Sequence, residues 1–73
     1  MNREEFLKEF ADILQTDETL SPETVLDDLE EWDSLSKIAT IALFDRKIGK
    51  KLTFLEITNL KTIEDILKKA GIQ

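Results

Sequence analysis

Seventy-three residues, 41% of them hydrophobic and 36% charged, suffice for one small domain, residues 1–73, near the lower limit at which a single core holds without covalent or metal staples. The chain has no Cys and no His, which excludes disulfides, thiolate metal sites and imidazole acid–base chemistry, so a non-catalytic role is expected and no metal site. A net charge of −6 argues against nucleic acid and anionic membrane surfaces as partners; with no apolar run of membrane-spanning length and no hydrophobic leader behind Met1-Asn2-Arg3, a cytoplasmic location is expected.

The first helix is predicted to start on Asn2, with Glu5 three residues on, in the pattern of a capping box. Phe6, Leu7, Phe10, Ile13 and Leu14 recur at helical spacing and read as a core stripe, ending near Gln15 or Thr16. The connection that follows is long. Within it Ser21-Pro22-Glu23 has the order of a cap, a first-turn proline and a first-turn acid, with one turn of helix to follow, and Val25, Leu26 and Leu29 are expected to pin the loop. Trp32 is expected to be partly buried, either at the rim or beside the functional surface.

Charge is distributed unevenly. Residues 17–33 hold eight of the 16 acids and no Lys or Arg, a local −8 against −6 for the whole chain, so the remaining residues sum to +2. Residues 34–52 carry Lys37, Arg46, Lys47, Lys50 and Lys51 against Asp45 alone. A negative loop therefore runs directly into a positive helix.

At that boundary stands Asp33-Ser34-Leu35. The ordinary reading of Asp and Ser before an apolar run is helix capping. The apolar positions Leu35, Ile38, Ile41, Ala42 and Ile48 are predicted to face inward, with Lys37, Thr40 and Ala39 toward solvent and Gly49 as the stop. Ser34 then falls on the first turn with an exposed hydroxyl, where free N–H groups and the positive end of the helix dipole favour an attached phosphate ester. Thr53 and Glu56 are spaced as a capping box for a short third helix over residues 53–58. Ile57 and Leu60 suit its core side; Phe54 and Leu55 are adjacent, so one of them is left to face outward as a docking residue. The last helix is predicted from Thr62, with Asp65 at its third position, Ile63, Ile66 and Leu67 inside, Lys68 and Lys69 at its negative end and Gly71 closing it.

The run Leu26-Asp27-Asp28-Leu29-Glu30-Glu31-Trp32-Asp33-Ser34-Leu35, with one helix before it and three after it, resembles the acyl carrier protein family, and the resemblance covers nearly the whole chain. It implies an all-α fold, a four-helix bundle with a long loop between helices 1 and 2 and a short helix 3. It also implies 4′-phosphopantetheine attached covalently to Ser34, with an acyl group carried as a thioester on the arm. Asp33 would fix the serine and face the modifying enzyme, and Leu35 would anchor the turn from beneath. The implied partners are a phosphopantetheinyl transferase, an acyl-loading ligase or adenylating enzyme and a downstream acyltransferase or synthase, meeting a monomer through Trp32, Lys37, Phe54 and Leu55.

The chain departs from the family's fatty-acid-synthesis members, which carry several acids on the exposed face of the second helix. Here that helix offers Lys37, Arg46 and Lys47, and the reversed sign points to a dedicated lipid or secondary-metabolite pathway. An aminoacyl or peptidyl carrier loaded by an adenylating enzyme fits the same serine. An unmodified helical adaptor with the same fold is the third reading.

Overall fold

Each of the four α-helices in the computed structural model, which describes residues 1–72, opens on the same local device. The helices are α1 (Arg3–Leu14), α2 (Ser34–Leu43), α3 (Phe54–Thr58) and α4 (Ile63–Ala70). Asn2 with Glu5, Asp33 with Ser36, Thr53 with Glu56 and Thr62 with Asp65 form reciprocal capping boxes, in which the cap side chain accepts from the third backbone N–H and the third side chain accepts from the cap. A helix of five residues such as α3 has almost no intrinsic stability, so these end contacts and its buried Ile57 hold it.

The stops follow from backbone conformation. Gln15 and Gly71 take left-handed φ values of 55° and 76° after α1 and α4. α2 instead runs on through a widened π turn at Phe44–Ile48, and its chain reverses only at Gly49, whose φ of 79° a side chain would oppose.

The core draws buried side chains from all four helices: Phe6, Phe10 and Leu14 of α1, Leu43 of α2, Ile57 of α3, and Ile63, Ile66, Leu67 and Ala70 of α4, with Phe44 after α2 and Leu26 from the long loop. Four aromatics run through it as a chain of contacts. Phe44 meets Phe6 edge-on at 6.0 Å, Phe6 stacks on Phe10 at 6.0 Å, and Phe10 meets Trp32 at 5.6 Å and 60°. Both ends of α2 are thereby tied to α1.

The loop over residues 15–33 is held by backbone as much as by side chains. Leu26 N–H donates to the Lys61 carbonyl at 2.9 Å and Ile63 N–H to that of Thr24 at 3.1 Å, an isolated antiparallel bridge between Val25 and Thr62. Leu26 is fully buried and Leu29 half-buried, as expected, but Val25 is 43% exposed: its contribution is its backbone. Ser21-Pro22-Glu23 makes a turn, closed by Ser21 N–H on Thr24 Oγ1 and Thr24 N–H on the Ser21 carbonyl, both 3.1 Å; the single helical turn, of the 3₁₀ type, comes at Leu26–Asp28.

α2 corrects the sequence reading most. Ser36, Thr40, Leu43 and Phe44 face the core, whereas Leu35 and Ile38 are 77% and 55% exposed, Ala42 is exposed, and Ile41 and Ile48 are only half-buried. Thr40, expected in solvent, is fully buried. Leu43 and Phe44 supply the reason: the face that brings both into the aromatic core also carries Ser36 and Thr40, at spacings of four and three. The two hydroxyls tolerate burial because both are bonded to backbone. Among the described residues no helix is long and apolar enough to cross a membrane.

Candidate functional site

The candidate site is the junction of the long loop with α2. Asp33 has extended backbone angles and caps the helix, so Ser34 occupies the first helical position, where its own N–H needs no intrahelical partner. The Ser34 side chain is exposed, and among the described residues its hydroxyl makes no hydrogen bond. Two residues on, Ser36 is in the opposite condition. Its backbone N–H donates to the Asp33 carboxylate at 2.9 Å, its Oγ accepts from the Asp33 N–H at 2.9 Å, and its single O–H is shared between the carbonyls of Glu31 at 2.8 Å and Asp33 at 3.0 Å. With only 6% of its surface exposed, Ser36 is a structural bolt and Ser34 is the serine offered to solvent.

Asp33 is held ionised by the same contacts. The Ser36 backbone N–H is the main cause that keeps its carboxyl below the ordinary aspartate value; desolvation, the next in size, opposes it without overturning it. Glu56 and Asp65 are lowered likewise, the first chiefly by the Thr53 backbone and the second by the backbone N–H groups of Lys61 and Thr62.

Leu35 does not anchor the turn from beneath. It points outward at 77% exposure and forms, with Ile38 and Ala42, an apolar strip along the solvent side of α2. Phe54 and Leu55, of which one was expected outside, are both exposed, at 44% and 70%. Together these side chains leave an exposed apolar face that is large for so small a surface. Trp32 is not part of that face. It is 7% exposed and packs on Phe10, and its Nε1–H is buried with no hydrogen-bond partner among the described residues, a desolvation left uncompensated.

Lys37 joins the two halves of the site. Its ammonium stands 5.8 Å from the Trp32 ring centroid and 5.9 Å from that of Phe54, near the outer limit of cation–π attraction, where each contact contributes about 0.5–1 kcal/mol. Arg3, Lys47, Lys51 and Lys69 each have a carboxylate within 4.0 Å; Lys37 has none among the described residues. The remaining bases of this region, Arg46, Lys47, Lys50 and Lys51, lie past the far end of α2. Ten residues of helix, roughly 15 Å at 1.5 Å per residue, separate them from Ser34.

Ser36 and Thr40 were missed as buried positions because apolar spacing alone was read. The Asp33-x-x-Ser36 spacing is itself a capping-box pattern and would have identified Ser36. No family model, no curated protein and no solved structure matches this chain.

Proposed function

We propose that the protein is a carrier of the acyl carrier protein type, a four-helix bundle on which Ser34 receives 4′-phosphopantetheine and the arm carries an acyl group as a thioester. The observation that carries this reading is the contrast of two neighbouring serines: Ser34 exposed and unengaged at the first position of α2, Ser36 buried with its hydroxyl in three hydrogen-bond contacts. An exposed hydroxyl in the field of a helix N-terminus suits a reaction that leaves an anionic phosphodiester on that oxygen. In the transfer, Ser34 Oγ attacks the phosphorus that bears the pantetheine arm in coenzyme A. The new Oγ–P bond replaces the P–O bond of the diphosphate, the nucleotide bisphosphate departs, and the hydroxyl proton passes to the transferase. The arm supplies the thiol that a chain with no Cys lacks.

The chain's own part is to present and deliver. Asp33 and Ser36 hold the turn, while Leu35, Ile38, Phe54 and Leu55 offer apolar area to a loading ligase or adenylating enzyme and then to an acyltransferase or synthase. With Lys37 near that face and no acid among residues 34–44, α2 lacks the acidic face that partners in fatty-acid synthesis grip, which favours a dedicated pathway over bulk fatty-acid synthesis, while the acidic loop before Ser34 remains open to a basic partner. An aminoacyl cargo would use the same serine and the same face. The exposed apolar face also supports a second reading, an adaptor that is never modified.

Intact mass decides between them. After incubation with coenzyme A and a broad-specificity transferase, the carrier reading expects one phosphopantetheine on the wild type and on Ser36→Ala, and none on Ser34→Ala. An unmodified wild type overturns it in favour of the adaptor.

A further inference from the structure

We infer that Lys37 is a positioning residue for the group carried on Ser34: its ammonium holds the anionic link. The inference rests on the carrier reading of Ser34. Residues three apart on a helix are neighbours, with Cβ atoms about 5–6 Å apart. Helical side chains also lean toward the N-terminus, so a long one covers the turn preceding its own Cα. For Lys37 that turn is the one bearing Ser34. The positions of the two rings agree, since Trp32 precedes the cap of α2 and Phe54 opens α3, and the ammonium stands 5.8 and 5.9 Å from their centroids.

Ring faces place an ammonium without neutralising it. Lys37 follows a loop of eight acids yet has no carboxylate within 4.0 Å among the described residues, so its charge and its donors are uncommitted. It is also the single base among residues 34–45, and the flank of Ser34 away from it carries Leu35 and Ile38. Along α2, a phosphodiester on Ser34 Oγ therefore has Lys37 as its neighbouring cation. An ammonium is a point-charge donor well suited to its two non-bridging oxygens.

A purely structural Lys37 would act through its aliphatic stem, which Met reproduces. Trp32, the only Trp, reports the difference, because the ammonium beside its ring is drawn toward the phosphate when the arm is attached. Wild type, Lys37→Arg and Lys37→Met are loaded with coenzyme A and a transferase, loading is established by intact mass, and Trp emission is compared before and after. The inference expects a loading-dependent shift in wild type and Lys37→Arg that is lost in Lys37→Met; an equal shift in Lys37→Met overturns it. In the wild type alone, the ¹⁵Nζ resonance of Lys37, assigned by its absence in Lys37→Arg, is expected to move on loading, and an unmoved resonance overturns the inference even if Lys37→Met loads poorly. If the wild type gains no mass, the carrier reading itself has failed, which is a different result from a loaded protein whose Lys37 does not respond.

Discussion

α2 and α4 are both amphipathic, and their apolar residues were read by the same rule of three- and four-residue steps, yet they lie in the fold with opposite results. In α4 the stripe of Ile63, Ile66 and Leu67 is fully buried, and its charged residues, Glu64, Asp65, Lys68 and Lys69, stay at least partly in solvent. In α2 the helix is turned so that Ser36 and Thr40 go inside with Leu43 and Phe44, and Leu35, Ile38 and Ala42 come out. The difference lies in how many faces can be buried. α4 has one apolar face and charges elsewhere, so only one orientation avoids burying an ion. α2 has apolar residues nearly all round and no charge but Lys37, so several orientations are open locally, and the two largest side chains that fit the aromatic core decide. The apolar strip left outside α2 is then available for function, which α4 could not provide.

Substitutions break this comparison where its energies are largest. Thr40→Lys places a charge in a fully buried position with no acid partner and is expected to cost about 3–5 kcal/mol, much of the stability of so small a domain. If Thr40 faced solvent the same change would be nearly neutral, so a urea midpoint close to wild type would refute the observed rotation of α2. Ile66→Ala, on the correctly read face of α4, is expected to cost about 2–5 kcal/mol by lost burial and a residual cavity, read from the same denaturation curve.

Acid sharpens the contrast between core and caps. The carboxyls of Asp33, Glu56 and Asp65 titrate below their ordinary values because each is held by N–H groups at a helix start. A depressed folded pKa means stability that is complete above the unfolded-state values, about 3.9 for Asp and 4.3 for Glu, and is lost as pH falls through the folded ones. Urea midpoints are therefore expected to be level from pH 7 to 5 and to decline below pH 4. Replacing Asp33 by Asn should leave less of that decline to observe. The smallest expected effect is at the outer strip: Leu35→Ala and Ile38→Lys should each change stability by within about 0.5 kcal/mol. A loss of more than about 2 kcal/mol for either would show that the strip is part of the core after all.

Much of the architecture was legible along the chain. The caps at Asn2, Thr53 and Thr62, the stops at Gly49 and Gly71, the core residues of α1 and α4 and the exposure of Ser34 all depend on contacts within a few residues or on a face bounded by charges, and these are written locally. Val25 illustrates the limit: its side chain reads as core, but its role is a backbone bridge to Thr62, thirty-seven positions away. Trp32 illustrates another, since the loop that delivers it is ordered by Leu26, Leu29 and the bonds to residues 61–64 rather than by any signal near the Trp itself.

By itself the amino-acid order determined that four short helices form, where each begins, and that a serine stands at the start of the second, because capping and backbone conformation are settled between near neighbours. Only the packed fold decided which side of α2 meets solvent and that Lys37 stands near rings from two different segments. Those outcomes depend on large side chains competing for one small interior, and no window of sequence contains all the competitors.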